Sequence, residues 1–227
     1  MLNQNYFEHF SYQNYIFDCD GVILDSNNIK SEVFYQLALP YGKDIAETFV
    51  DYHQRNGGIS RFEKFKYLFE DMLKIKGADF NHLLRDFSAM TLERIKIANE
   101  IPGVQEFIKK LPPESKKFVV SGGAEEDLKI IFQYKKFDVL FDGIFGSPRD
   151  KYQIVKKIKN DFQTGESFLY FGDSILDYEV ASFYNMDFVF IYESTAPDDF
   201  KKRLSAGNER NEGTSVKFIR NFLQVNP

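Results

Sequence analysis

The sequence predicts an α/β fold: a doubly wound parallel sheet carrying an inserted all-helical block. Three observations carry that expectation. Beyond Ile101-Pro102-Gly103, short apolar runs alternate with helical apolar spacing, as in parallel strands joined by crossover helices. Between Asn27 and about Asn99 the spacing is helical and no strand stands out. The residues able to do chemistry fall at the ends of consecutive strands, where such sheets bind ligands. The expected division is a core of residues 1–24 and 100–227, with residues 25–99 as a small helical domain.

In chain order, residues 1–13 are a polar and aromatic lead-in to a first strand, Tyr15-Ile16-Phe17, which ends at Asp18. The inserted helices are expected at Ile29–Leu39, Asp44–Arg55, Ser60–Ile75 and Phe80–Asn99. Ser60-Arg61-Phe62-Glu63 has the form of a capping box, and Asn56-Gly57-Gly58 and Gly77 punctuate the boundaries. Then follow helix Val104–Leu111, strand Lys117–Ser121, helix Ala124–Tyr134 and strand Val139–Phe145. Helix Tyr152–Asn160, strand Phe168–Phe171, helix Leu176–Tyr184 and strand Phe188–Ile191 complete the alternation. A polar stretch around Ala206–Gly213 precedes an expected closing helix, Ser215–Leu223.

The totals exclude some classes of function. A net charge of −5 offers no basic excess for nucleic acid. No apolar run is long enough for a spanning helix, and Met1-Leu2-Asn3-Gln4-Asn5 has no signal-peptide pattern. The single cysteine, Cys19, rules out an intrachain disulfide and fits a reducing, cytoplasmic setting. Two flanking aspartates should raise its pKa and discourage thiolate chemistry. The surplus of aromatics, 25 Phe and 13 Tyr, is read as core packing.

Four groups carry chemistry. Asp18 and Asp20, one residue apart at a strand end, repel each other unless a cation or a proton intervenes, and Gly21 permits a tight exit. Ser121-Gly122-Gly123 ends a strand before a helix, where backbone N–H groups can cradle an anion. Lys151 opens a helix, where a cation could balance a carboxylate and a phosphate. Asp173 and Asp177 flank a strand–helix turn, where carboxylates reach a hard cation or cap the helix.

In this order and spacing the set resembles the haloacid dehalogenase superfamily. The insertion and Pro102-Gly103-Val104 are similar to its phosphoglycolate phosphatase and β-phosphoglucomutase-like branch, whose insertion is a cap. The resemblance implies Asp18 as a nucleophile forming an aspartyl-phosphate and Asp20 as general acid–base. It implies Mg²⁺ on Asp18, the Asp20 carbonyl and Asp173, with Asp177 nearby, and a substrate phosphate held by Ser121, Gly122 and Lys151. Gly58-Ile59-Ser60-Arg61 resembles a cap loop that presents an arginine to substrate, making Arg61 the first candidate for specificity, with Arg55 and His53 behind it. Asp25-Ser26 fits the branch's hinge. The expected activity is a Mg²⁺-dependent phosphatase acting on a small phosphorylated metabolite such as a sugar phosphate or phosphoglycolate. A β-phosphoglucomutase-like mutase and a catalytically silent binding protein are the alternatives. Lys30 stands where mutase members carry a histidine, and Asp20 stands where dehalogenases and phosphonate-cleaving members lack an aspartate. Phe183-Tyr184-Asn185 replaces the usual small Ala-Gly pair.

Overall fold

Tyr15, Ile16 and Phe17 are wholly buried, because the strand they form lies inside a sheet with helices on both faces. The computed structural model describes residues 12–162, 165–193, 200, 202 and 214–225. The chain runs from β1 (Asn14–Phe17) into α1 (Asn27–Ala38), α2 (Lys43–Arg55), α3 (Arg61–Tyr67) and α4 (Asn81–Lys96). Then come α5 (Val104–Lys110), β2 (Lys116–Ala124), α6 (Glu125–Lys135), β3 (Gly143–Ser147) and α7 (Lys151–Asn160). The last elements are β4 (Phe168–Gly172), α8 (Ile175–Phe183), β5 (Asp187–Ile191) and β6 (Val216–Ile219).

Among the described residues, six strands pair in parallel, in the order β3-β2-β1-β4-β5-β6. Side chains alternate between two apolar layers. Tyr15, Phe17, Val119 and Phe171 pack with α5 and α6 residues such as Phe107 and Leu128. Ile16, Val120, Tyr170 and Phe188 pack with α7 and α8 residues such as Ile154 and Val180. The aromatic surplus goes into these layers: Phe17 stacks on Phe171 with centroids 4.7 Å apart. Burying one such side chain contributes roughly 1.5–3 kcal/mol. No helix among the described residues is long and apolar enough to cross a membrane.

A third apolar cluster is drawn wholly from residues 33–87, with Phe34, Phe49, Phe65 and Phe87 at its centre. It is the interior of the helical cap, where α1 packs on α2 and α4. Ser60 caps α3 by accepting the Glu63 N–H at 3.3 Å. The cap meets the core through α4, whose Ile95 joins the sheet-side layer and whose Ser88 hydroxyl donates to Asp127 at 2.6 Å.

Three local expectations are corrected. The helix expected over Ser60–Ile75 is α3 followed by a π-helical turn, Leu68–Met72, and Lys74 then takes a φ of 60°. The strand expected at Val139–Phe145 begins only at Gly143. Asp138–Leu140 is a 3₁₀ turn, with Val139 exposed to solvent while Gly143 pairs with Phe118. The closing helix expected at Ser215–Leu223 is instead β6 followed by a 3₁₀ turn, Phe222–Gln224. β5 would otherwise leave an open edge, and pairing Val216–Ile219 along it satisfies a ladder of backbone groups that local helical spacing does not register. The polar stretch at Ala206–Gly213 and nearly all of the lead-in lie outside the described residues. At the unusual Phe183-Tyr184 pair, Tyr184 OH donates to the Tyr152 carbonyl at 2.8 Å and Phe183 packs edge-on against the Tyr152 ring. That departure is a matter of packing.

Candidate active site

β1 ends at Phe17, three residues short of a strand that would carry both aspartates. Asp18 still hangs on the ladder, its N–H donating to the Phe171 carbonyl at 2.9 Å, while Asp20 lies in the loop beyond. The two carboxylates therefore take different partners. Asp18 Oδ1 accepts the Cys19 N–H at 2.8 Å and faces Lys151 Nζ at 3.1 Å. Asp20 accepts from the Ser26 hydroxyl and pairs with Lys30 Nζ from α1.

Lys151 starts α7, and Asp150 caps that helix in a reciprocal box with Gln153. The cap holds the lysine backbone while its side chain runs inward to Asp18 and to Asp177 Oδ1, 2.6 Å away. Tyr170 OH donates to the same Asp177 oxygen at 2.8 Å, and the Ser174 hydroxyl donates to Oδ2 at 2.6 Å. Asp177 thus fixes Lys151, with both of its oxygens already engaged. Asp173 Oδ2 accepts from Asn27 Nδ2 at 2.9 Å.

The residues fit a divalent cation. Oxygens of Asp18, Asp173 and Asp177 lie within 4.8 Å of one another, the all-oxygen donor set that Mg²⁺ prefers. Burial drives Asp18 well above the usual carboxylate range, and Asp177, Asp173 and Asp20 add to it against Lys151. Burial, then Asp177, pushes Asp173 up to about 7. Lys151 pairs with both Asp18 and Asp177, and Lys30 pairs with Asp20. The mutual repulsion that helps to raise Asp18 and Asp173 is what a divalent cation would offset.

Asp20 stands apart from that trend. Burial opposes its ionisation, but the Lys30 ammonium and the hydrogen bonds from Lys30 and Ser26 outweigh burial and hold it below the usual range. The carboxylate expected to carry a proton is thus the one kept ionised, because Lys30 reaches it from α1. Lys30→Met should raise the apparent pKa of Asp20. A pH profile of kcat/KM checks this: the limb assigned to Asp20 moves to higher pH, and an unmoved limb would detach Lys30 from that titration.

Ser121 is fully buried, and its hydroxyl accepts the Gly123 N–H at 3.0 Å, which leaves its O–H free to donate. It sits on an irregular stretch of β2 between Val120 and Ala124. At Gly122 a Cβ would lie 2.2 Å from the Gly58 carbonyl, so the cap loop rests directly on this turn. Gly21, at φ +75°, is equally confined: a Cβ there would lie 2.1 Å from Asp173 Oδ2. Gly21→Ala should therefore cost about 2 kcal/mol in a denaturant melt, from strain and a displaced Asp173, and weaken Mg²⁺ binding in a titration. A melt and a titration matching the unmutated protein would contradict that placement.

Between cap and core lies a cavity of about 670 Å³ whose walls include Asp18, Asp20, Gly122, Arg61 and Asp173. Ser121, Lys151 and Asp177 stand behind that wall, buried. Arg61 lines the cavity, but its Nη1 bonds Asp127 Oδ2 at 2.8 Å, clasping cap to core. Cys19 is buried, and burial, then Asp20, raises its thiol well above the usual range. Sequence reading missed Asn27, Tyr170 and Ser174, and took Ser26 only as part of the hinge. Asn27 and Ser26 follow directly on the aspartate motif, and Ser174 lies between Asp173 and Asp177, so proximity was their only signal.

Comparison with known proteins bears on the family and the fold. The family profile described as haloacid dehalogenase-like hydrolase matches residues 15–191. No curated protein matches the chain in sequence. Among solved structures, β-phosphoglucomutase from Clostridium difficile shares 17% identity over 95% of this chain and 93% of its own, with a TM-score of 0.73. A candidate phosphoglycolate phosphatase from Lactobacillus plantarum shares 16% over 93% and 96%, with a TM-score of 0.66. L-2-haloacid dehalogenase from Xanthobacter autotrophicus shares 15% over 88% and 85%, with a TM-score of 0.52. At these identities the likeness is one of fold.

Proposed function

The chain belongs to the haloacid dehalogenase-like hydrolases, and on that premise we propose that it is a Mg²⁺-dependent phosphatase acting on a small phosphorylated metabolite. The observation that supports this best is Asp18, buried beside Lys151 and within one acidic cluster with Asp173 and Asp177. Asp20, the group a phosphatase needs and a dehalogenase lacks, stands two residues on.

In this reading Asp18 attacks phosphorus and the ester oxygen departs with a proton from Asp20, leaving phosphate on Asp18. Asp20 then takes a proton from water, which attacks phosphorus, releases inorganic phosphate and restores Asp18. Splitting the displacement in two is the usual gain of a covalent intermediate. Ser121 O–H, the Gly122 amide and Lys151 hold the phosphate oxygens, and Lys151 offsets the repulsion between ester and carboxylate. Asp18, the Asp20 carbonyl and Asp173 would hold Mg²⁺, with Asp177 fixing Lys151 beside them; the ion would supply further charge neutralisation. Since Lys30 holds Asp20 ionised, the first step requires Asp20 to take up a proton or exchange that partner. A cytoplasmic location belongs to the same reading, supported by the single, reduced Cys19.

A panel of phosphate monoesters, assayed with and without Mg²⁺, tests this. Released phosphate that disappears on chelation is the expected result. Interconversion of phosphosugar isomers without release would assign a mutase instead, and no Mg²⁺-dependent reaction at all would point to a binding protein.

A further inference from the structure

The cations lining the cavity are not evenly matched. Among the described residues these are Lys30, Arg55, Arg61 and Lys64. Lys30 pairs with Asp20, Arg61 with Asp127, and Arg55 Nη2 lies 4.0 Å from Asp51. Lys64 has no carboxylate at ion-pair distance among the described residues, although it is only 3% exposed.

What holds Lys64 is a neutral group. Its Nζ lies 2.7 Å from His53 Nδ1 and 5.5 Å from the Phe34 ring centroid. Burial, then the nearby Lys64 and Lys30, pushes His53 down to about 2, so its ring is uncharged and Nδ1 accepts from the lysine. An imidazole and a ring face return only part of the cost of taking an ammonium out of water. Burial, with Lys30 adding repulsion, accordingly pushes Lys64 down to about 7. The same lysine feels the charges of Asp20, Lys151 and Asp173, so it belongs electrostatically to the reaction site.

A buried, oriented amine on a cavity wall, lacking an anion of its own, is suited to an anion brought by the ligand. We propose that Lys64, held by His53, anchors a second anionic oxygen group on the substrate, a carboxylate or a further phosphate on the part that is not hydrolysed. This rests on the phosphatase reading for which end reacts: the ester phosphate lies at Asp18 and the second anion on the cap side. Arg61, engaged with Asp127, is not required for it.

Calorimetric affinities on the Mg²⁺-loaded Asp18→Asn protein, which leaves ligands intact, test the proposal. The probes are phosphoglycolate, ethylene glycol bisphosphate and ethylene glycol monophosphate. At least one of the first two should bind about 10- to 100-fold more tightly than the third, the span expected of one buried charge-assisted contact. Which one is preferred separates carboxylate from phosphate. Lys64→Met and Lys64→Gln should each bring that ratio to within about threefold. Equal affinities, no binding, a preference that survives both variants, or one common loss across all three probes would overturn the proposal. Phosphate release by the unmutated protein tests the phosphatase reading separately. A Lys64-dependent preference without release from any monoester would sink that reading and leave the anion anchor standing.

Discussion

Asp18→Asn should lower phosphate release by about 10⁴-fold or more, with substrate still bound, because an amide cannot form the phosphoryl intermediate. The side chain is 3% exposed and is held on one oxygen by Lys151 and the Cys19 N–H, so it is positioned before substrate arrives. Removing its charge also relieves repulsion among buried carboxylates, so the variant should unfold no more easily than the unmutated protein. Steady-state release and a denaturant melt check both parts. Turnover near the unmutated rate would rule out Asp18 as nucleophile.

Lys151→Met should be the most damaging change to stability. It strands Asp18 and Asp177 without the ammonium that lies 3.1 and 2.6 Å from them, in a setting where all three side chains are 3% exposed or less. Breaking a buried pair from one side costs about 3–5 kcal/mol, and two carboxylates share the loss here. Burial pulls the Lys151 pKa down, but Asp177 and Asp18 outweigh it and hold the ammonium charged above the usual lysine range. The sign with pH follows from Asp18, whose folded pKa already lies well above its unfolded value. Without the Lys151 ammonium opposing that shift, Asp18 gains protons on folding, so the deficit is largest at neutral pH and shrinks as pH falls through the folded value. Mg²⁺ should return part of the loss, because it binds the folded site. Denaturant melts over pH, with and without Mg²⁺, check this. A loss below about 1 kcal/mol would contradict the burial on which it rests.

The framework was legible where burial leaves a local trace. Tyr15–Phe17, Phe168–Phe171 and Phe188–Ile191 read as strands because both of their faces are buried, and each motif aspartate or serine stands where such a run ends. β6 did not read, because what makes it a strand is the free edge of β5, some 25 residues earlier in the chain. Site chemistry divides in the same way. Asp18, Ser121, Lys151 and Asp173 could be named from position. That Asp20 would be held ionised could not, since the cause is a helix turn that carries Lys30 back over it. Arg61 was legible as a cap cation, but its partner Asp127 comes from α6, and only the docked cap brings them together. Nothing in the sequence singled out Lys64; the packing of α2 and α1 around it, through His53 and Phe34, is what buries it.

An aryl phosphate leaves without help from an acid, so Asp20→Ala should still be phosphorylated by it and then stall, lacking the base that activates water. Acid-quenched, digested protein read by mass spectrometry should carry one phosphoryl group, on the peptide that contains Asp18. That group should vanish when Asp18→Asn is added to Asp20→Ala. Phosphoryl transfer to any other residue, or phosphate released with no phosphorylated protein at any time, would contradict the account.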